Sequence, residues 1–492
     1  MAKITAVIDI GSNSVRMLVF KKTSRFGFYL LKEVKSRVRI SENSYQNGGM
    51  LQEPAMVRAE NAIAGFAAVA RTLQARKIIC VATSAVRDAP NKNDFIKRIK
   101  SKTGISIKVI DGKKESLYGG IAALNLLPLQ NGITIDIGGG STELALIKDG
   151  VIEDTVSFQL GTVRLKELFF DAKPDIDGAK AYVRKQLESL PAHFKEARII
   201  GIGGTLRALA QALIKREGYA LNILHAYEYT IDKNRDFFET VIATQRHDRL
   251  KKFGFKQDRF DVIREGLLIF TEVAAKVGAN DVITSGVGVR EGVFLSDLLR
   301  SSNELFPRGF NPSIRSLMDR FEIDTTVAAG TNRLALELFD ALTPLHGMDE
   351  GYKRYLSIAV KLSNIGTFVN YYKKSLHAYN IIFEGLDYGF THKERILIAK
   401  LVRNQQKKIL TKYDPQTRLG KFLPGVDIVQ WLSFILFVAR KLNMEKKPPK
   451  ITVEVENKKI VIGLDKECYL AQETLANVKA PNKSPLIFVV AD

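Results

Sequence analysis

Cysteine is scarce in this sequence, with only Cys80 and Cys468 among 492 residues. The two stand far apart, and neither belongs to the paired spacings that bind zinc or build a disulfide framework. Cys80 lies inside an apolar run, where a buried and unreactive thiol is expected. The cysteine content excludes a disulfide scaffold and a zinc knuckle, and it fits a reducing compartment.

Long hydrophobic runs are also absent. The most apolar segment, residues 428–439, is interrupted by Gln430 and is much shorter than the ~20 residues of a membrane-spanning helix. Asp9 interrupts the first apolar stretch, and no small-residue cleavage site follows, so a signal peptide is not indicated. We therefore predict a cytoplasmic protein without a membrane partner.

Acidic residues are few relative to basic ones, and the formal net charge is +21. Of this excess, +13 falls in residues 1–300 and +8 in residues 301–492, so the charge is not confined to a tail. Such a field attracts polyanions: nucleic acid, an anionic membrane surface, or a phosphate-rich small molecule or polymer. The charge alone does not choose among them.

The chain is too long for a single core. Strand and helix patterns alternate through residues 1–124 and again through residues 125–302, which predicts two α/β domains. Helical spacing dominates residues 310–446. After Pro448-Pro449 the pattern changes to period two, which predicts a small β-rich unit over residues 450–492.

Two segments are nearly the same: Asp9-Ile-Gly-Ser-Asn-Ser14 and Asp136-Ile-Gly-Gly-Gly-Ser-Thr-Glu143. Each ends an apolar strand in Asp, passes a turn of small residues and resumes a strand. Gly allows close backbone approach to phosphate, and successive N–H groups form an anion-binding concavity. One such loop could be an ordinary hairpin. The pair predicts a duplicated half-domain with two phosphate-binding hairpins across a cleft, and each Asp is expected to hold a hydrated Mg²⁺.

Four motifs occur in order along the first 300 residues: Asp9–Arg16, Ala82–Asp88, Asp136–Glu143 and Ser285–Gly292. Together they resemble the exopolyphosphatase/guanosine-pentaphosphate phosphatase family, within the superfold of actin and hexokinase. The resemblance implies two ribonuclease H-like (actin-like ATPase) domains flanking a cleft, then a helical HD-like domain. It also implies Mg²⁺-dependent hydrolysis of the terminal phosphoanhydride of polyphosphate or pppGpp by a homodimer, without a specific nucleic-acid partner.

By the same resemblance, Glu115 is the general base that deprotonates the attacking water, a role that phosphoryl transfer requires. It could instead be an acid in the first turn of a helix, favoured by the helix dipole. Arg87 is the arginine expected to contact phosphate, because its planar fork suits bidentate recognition. Arg16 and Arg290 are weaker candidates, since either could be solvated or paired between strands.

The resemblance also assigns ligands. The predicted phosphate-binding residues are Gly11, Ser12, Asn13, Ser14, Gly138, Gly139, Gly140, Ser141 and Thr142. The predicted metal ligands are Asp136, Asp9 and Glu143. The turn Gly203-Gly204-Thr205 aligns with the nucleotide-binding turn of the superfold, where it could meet a guanosine or only allow close helix–strand packing.

The third domain departs from the family. Where an HD-type metal site needs adjacent His and Asp, this chain reads Leu362-Ser-Asn-Ile-Gly366, and His377 remains alone. Without partners a lone His is a poor metal site, so we predict a catalytically inactive domain. Helical spacing indicates either a basic stripe or a solvated helix face formed by Lys400, Arg403, Lys407, Lys408 and Lys412.

Two other functions stay open at this point. A small-molecule kinase of the same superfold would need an acceptor and would exclude water. A non-catalytic polyphosphate- or nucleic-acid-binding scaffold would fit the charge, but it would gain nothing from carboxylates in an anion-binding cleft.

Overall fold

The structure is a computed structural model that describes residues 3–44, 47–171, 174–404, 418–457 and 459–490. It divides into two compact units, Met1–Phe310 and Asn311–Asp492. No helix among the described residues is long and apolar enough to cross a membrane.

The strands of the first unit form two sheets. In chain order they are β1 (Ile4–Ile10), β2 (Val15–Lys22), β3 (Phe28–Ser36), β4 (Lys77–Ala82), β5 (Ile107–Val109), β6 (Gly132–Ile137), β7 (Thr142–Lys148), β8 (Val151–Phe158), β9 (Arg198–Ile202), β10 (Glu228–Thr230) and β11 (Asp281–Thr284).

The two sheets have the same topology. The first has the order β3-β2-β1-β4-β5, in which β1, β2 and β3 are antiparallel and β4 and β5 continue parallel to β1. The second has the order β8-β7-β6-β9-β11 with the same directions, and β10 adds an antiparallel edge. The repeated loop motif thus reflects a repeated sheet.

The helices of the first unit connect these strands. They are α1 (Glu53–Thr72), α2 (Ser84–Arg87), α3 (Lys92–Thr103), α4 (Gly112–Leu126), α5 (Thr162–Phe169), α6 (Ile176–Gln186), α7 (Gly203–Arg216), α8 (Ile231–Ala243), α9 (His247–Lys252), α10 (Ile263–Val277) and α11 (Val289–Leu298). The domain boundary predicted at 124/125 falls inside α4, which packs against β7, β8 and α11.

Each sheet has its own hydrophobic core. Apolar side chains of β1, such as Ala6 and Ile8, pack with Ile63 and Phe66 of α1. In the second sheet the apolar side chains of β6 and β9 pack against α7 and α10. Strands covered by helices bury both faces, which explains why they read as continuous apolar runs in the sequence. The two cores fix the ends of β1 and β6, where the candidate loops begin.

The second unit is mainly helical. Its elements are α12 (Pro312–Arg320), α13 (Thr325–Ala341), α14 (Thr343–His346), α15 (Tyr352–Leu362), α16 (Lys374–Gly385), α17 (His392–Arg403), α18 (Val426–Leu442), β12 (Ile451–Glu456), β13 (Lys459–Leu464), α19 (Tyr469–Leu475) and β14 (Leu486–Val490). The sheet order is β12-β13-β14.

The C-terminal strands of the second unit do not form a separate core. Ile460 and Leu475 belong to the same buried cluster as Leu334 and Leu432 of the helices. In the stretch that lacks HD-type ligands, Oδ1 of Asn364 accepts a hydrogen bond of 2.6 Å from Arg440. Of the predicted basic stripe, Lys400 and Arg403 lie on α17, whereas Lys407, Lys408 and Lys412 lie outside the described residues.

Candidate active site

Two hairpin loops meet in the first unit. Residues 11–14 join β1 to β2, and residues 138–141 join β6 to β7. Both close in the same way, because the first Gly of each donates its N–H to the carbonyl oxygen three residues later, at 3.2 Å and 2.9 Å. A β-carbon added to Gly139 would lie 3.1 Å from Cβ of Ser12. The loops therefore face each other at close range.

A cavity of about 190 Å³ lies between these loops. Most of the residues singled out in the sequence line it: Asp9, Gly11, Ser12, Asn13, Ser14, Arg16, Glu115, Asp136, Gly138, Gly139, Ser141, Gly203, Gly204, Thr205 and Arg290. The fold thus brings together motifs that are up to about 280 positions apart in the chain.

Four predicted site residues do not line the cavity: Arg87, Gly140, Thr142 and Glu143. Thr142 is fully buried, and its hydroxyl donates to the carbonyl oxygen of Leu160. Glu143 is buried, and its Oε1 accepts a hydrogen bond of 2.9 Å from Ser157. Both residues belong to β7 and not to the loop, and their side chains hydrogen-bond to residues that follow in the second sheet and the segment after it.

Glu115 projects into the cavity from the first turn of α4. The helix begins there because Oδ1 of Asp111 caps it, accepting a hydrogen bond of 2.7 Å from the Lys114 N–H. Arg87 donates from Nη1 to Oε2 of Glu115 at 3.2 Å and to the carbonyl oxygen of Ile110 at 3.2 Å. Arg87 is therefore directed at the carboxylate and not at the cavity.

The carboxylates of the site are held in an environment that disfavours their charge. Burial raises the pKa of Glu115 well above its usual range, the nearby Glu143 raises it further, and Arg87 opposes the rise. Burial also raises the pKa of Asp9 to about 6 and that of Glu143 to about 7. The pKa of Asp136 is raised for the same reason. Raised carboxyl pKa values of this kind are frequent at catalytic sites.

Five cationic side chains line the cavity: Arg16, Lys35, Arg207, Arg259 and Arg290. Burial, with the neighbouring Arg290 and Arg207, lowers the pKa of Arg16 to about 10. Sequence reasoning missed Lys35, Arg207 and Arg259, which come from β3, from α7 and from the turn before α10. None belongs to a local motif. The cluster is suited to an anion with several charges.

Five helices begin at the cavity, since first-turn residues of α2, α4, α5, α7 and α11 line it. The first N–H groups of a helix have no partner within it, and the helix dipole places partial positive charge there. Helix N-termini are therefore ready-made phosphate sites. The turn Gly203-Gly204-Thr205 is one of them, as the first turn of α7.

The sequence model of the Ppx/GppA phosphatase family matches residues 18–301, and the model of domain III of that family matches residues 311–481. The chain belongs to the Ppx/GppA phosphatase family. Membership confirms the predicted resemblance and the predicted class of enzyme, a phosphoanhydride hydrolase.

Relatives in the Ppx/GppA family match over most of the chain. Two proteins named guanosine-5'-triphosphate,3'-diphosphate pyrophosphatase are each 27% identical to this chain. The match with the protein from Aeromonas hydrophila covers 93% of this chain and 92% of the relative. The match with the protein from Aeromonas salmonicida covers 94% of this chain and 92% of the relative. The crystal structure of the Aquifex aeolicus family member is 26% identical, with a TM-score of 0.54, over 61% of this chain and 99% of its own. An exopolyphosphatase from Cytophaga hutchinsonii shares the fold, with 24% identity and a TM-score of 0.55. The match covers 60% of this chain and 98% of the Cytophaga chain.

The family resemblance implies Mg²⁺, and two carboxylates of the site fit it. Oδ1 of Asp9 is buried and has no hydrogen-bond partner in the described structure. Gly203, with φ of +78°, lies so close to Asp136 that a β-carbon would overlap its Oδ1. No three His, Cys, Asp or Glu side chains gather as a metal site within the described ranges. One or two carboxylates completed by water and substrate phosphate is the mode in which proteins hold Mg²⁺.

Proposed function

We propose that this chain hydrolyses the terminal phosphoanhydride of inorganic polyphosphate or of pppGpp and releases orthophosphate. The observation that carries the proposal is a single cavity in which Glu115, an acid with a raised pKa, faces two glycine loops. The cavity also has five cationic side chains. A scaffold that only binds anions would be weakened by buried carboxylates.

The loops and the helix N-termini bind the terminal phosphoryl group. Backbone N–H groups of both loops reach its oxygens from opposite sides, and Arg16 and Arg290 neutralise the phosphates behind it. This clamp holds the phosphorus in line with a water molecule, and positioning supplies much of the rate in phosphoryl transfer.

Glu115 takes the proton of that water. As the water oxygen bonds to phosphorus, the proton passes to the Glu115 carboxylate and the bridging oxygen leaves with the rest of the chain. A carboxylate whose pKa lies nearer neutrality is the stronger base at physiological pH. Arg87 orients the carboxylate through its hydrogen bond and limits the rise of its pKa.

Asp9 and Asp136 are the residues proposed to hold Mg²⁺, which when bound supplies charge neutralisation at the phosphate oxygens. Glu143 lies behind the loop, where the Ser141 side chain hydrogen-bonds to it. Because of this hydrogen bond, we assign Glu143 to supporting the loop. The proposal therefore relies on Asp9 and Asp136 as the two metal ligands.

Both substrates present the same terminal group to this site. Relatives carry names that refer to each: the Aeromonas proteins to guanosine-5'-triphosphate,3'-diphosphate, the Cytophaga protein to exopolyphosphatase. Beyond the terminal phosphates, Arg259 lies directly over Gly204 of the α7 turn. It is placed to meet the next phosphates of a chain or the nucleoside end of pppGpp.

Phosphate release from polyphosphate, pppGpp and ATP, measured in parallel with and without Mg²⁺, tests the function. We expect Mg²⁺-dependent release from polyphosphate or pppGpp and little from ATP. Phosphate transfer from ATP that appears only with an acceptor would instead indicate a kinase. Tight polyphosphate binding without any release would indicate a scaffold.

A further inference from the structure

An exposed aromatic segment lies on the second unit, between the end of α15 and the start of α16. The exposed fraction of the side chain is 63% for Phe368, 56% for Val369, 66% for Tyr371 and 88% for Tyr372. Contiguous apolar surface of this kind marks an interaction site. Residues 364–374 form this aromatic loop.

The aromatic loop is held in a defined shape. The N–H groups of Val369 and Asn370 both donate to the carbonyl oxygen of Gly366, each at 3.2 Å. The ring of Phe321 packs edge-on against that of Phe368, with 5.6 Å between centroids. These contacts hold the turn in place, and the exposed rings are presented outward from it.

Cations accompany these rings. Nζ of Lys374 lies 4.2 Å from the ring centroid of Tyr371. Burial and then the nearby Arg440 lower the pKa of Lys374, and burial with Arg440 and Lys374 lowers that of Lys441. No ion pair among the described residues joins Lys373, Lys374, Arg440 or Lys441 to a carboxylate. The patch therefore has positive charge that its surroundings do not neutralise.

The composition around the aromatic loop limits what can cover it. Residues 355–383 contain three Lys, namely Lys361, Lys373 and Lys374, and no Asp or Glu. A second copy docking symmetrically here would place these cations against their own equivalents, which charge repulsion opposes. A free phosphate would use the cations but leave the exposed Phe368 and Tyr372 without a role. An anionic bilayer satisfies both, because its phosphates face the cations and its interface accepts aromatic rings.

We propose that the aromatic loop docks this protein reversibly onto a membrane surface rich in anionic phospholipid, with Phe368, Val369 and Tyr372 entering the headgroup region. The contact is peripheral. The sequence argument against a membrane partner rested on the lack of a spanning segment, and a surface contact of this kind needs none.

Sedimentation of the full-length protein with vesicles tests the proposal. We expect at least about tenfold stronger partitioning to phosphatidylcholine vesicles containing 30% phosphatidylglycerol than to pure phosphatidylcholine, since several cations face the lipid. Raising the salt from about 0.1 M to 0.5 M should weaken this binding because the Debye length falls. Binding equal for both vesicles, or none, would overturn the proposal.

Two double variants separate the contribution of the aromatic rings to membrane binding from that of the positive charges. Phe368→Ser with Tyr372→Ser removes the rings, and Lys373→Gln with Lys374→Gln removes two charges. Each should lower partitioning about tenfold. The matched control is Lys97→Gln with Lys100→Gln on α3, which removes two exposed charges elsewhere and should change partitioning less than about twofold. Equal losses in the control would show a general charge effect and overturn the assignment to the loop.

A spectroscopic variant gives a readout that does not depend on loss of binding. The native Trp431 is only 5% exposed, so Phe368→Trp adds an emission that responds to the loop. Its blue shift on phosphatidylglycerol vesicles, with phosphate release unchanged, is expected. A concentration-dependent shift without vesicles, matched by a dimer in light scattering, would assign the loop to self-association instead.

Discussion

Arg87 and Glu115 form a largely buried ion pair, with 3.2 Å between Nη1 and Oε2 and side chains only 19% and 12% exposed. Arg87 ends α2, which follows a strand of the first sheet, whereas Glu115 lies in the first turn of α4, which packs on the second sheet. The sequence suggested that Arg87 contacts phosphate. In the structure its Nη1 donates to the Glu115 carboxylate, so we expect its first effect on catalysis to be exerted through Glu115.

Replacing Arg87 should move the pH dependence of the reaction. Arg87 lowers the pKa of Glu115, so Arg87→Gln should raise that pKa and shift the acid limb of kcat/KM upward by about one pH unit. Arg87→Lys keeps the charge and should shift it less. The check is phosphate release across pH 5 to 9 for both variants. A lower rate with no shift in the acid limb of the pH profile would assign Arg87 to phosphate binding.

Gly203 should be required for activity more than for folding. Gly203→Ala places a β-carbon against Oδ1 of Asp136 and should displace that carboxylate. Gly104→Ala is the matched control, because φ is +76° there and nothing lies within 4 Å of an added β-carbon. Both should lose about 1 kcal/mol of stability from backbone strain.

The two glycine variants should then diverge in activity. Only Gly203→Ala should lose phosphate release and need a higher Mg²⁺ concentration for half-maximal rate. Equal activity in the two variants would remove Asp136 from the proposed site.

Glu265 should make stability depend on pH. It is 2% exposed in the first turn of α10, and burial raises its pKa from the ordinary 4.5 to about 7. Between these values the folded state binds more protons than the unfolded state, so stability falls as pH rises through the window. Glu265→Gln removes this loss.

The stability gained by Glu265→Gln over the wild type should therefore be greater at pH 8 than at pH 5, by up to about 3 kcal/mol in the free energy of unfolding. Melting temperatures of both proteins at the two pH values check this. The exposed Glu188→Gln serves as the control and should show no such difference. A gain that is the same at both pH values would mean that Glu265 is already ionised at low cost in the fold.

Arg259 should contribute to substrate affinity. Arg259→Gln removes one cavity charge and should raise KM for polyphosphate about 5- to 30-fold while kcat changes little. Arg249→Gln, an exposed arginine of α9, removes the same charge outside the cavity. The check is the KM for polyphosphate of the two variants, measured by steady-state kinetics at one ionic strength. Equal KM values would show that substrate affinity depends only on the net charge of the protein.

Sequence reasoning succeeded where the site is local. A strand, an Asp and a turn of small residues are contiguous, so both loops could be predicted, and the topology of the two sheets repeats accordingly. The motif continues through Thr142 and Glu143, and the family resemblance therefore assigns phosphate binding to Thr142 and metal binding to Glu143. The strand β7 already begins at Thr142, and its side chains are directed into the packed half.

The cations of the cavity could not be predicted in this way. Lys35, Arg207 and Arg259 become neighbours only when β3, α7 and the turn before α10 meet at one opening. Likewise, five helices start at the cavity because parallel strands end at the same edge of each sheet, a consequence of topology that no single motif carries.

The most direct test of the account is Glu115→Gln, compared with wild type for both binding and turnover of polyphosphate. If Glu115 deprotonates the attacking water, phosphate release should fall about 10²- to 10⁴-fold. The dissociation constant should stay within about threefold, because only a transition-state interaction is lost. A variant that binds polyphosphate and still releases phosphate at the wild-type rate would contradict the account.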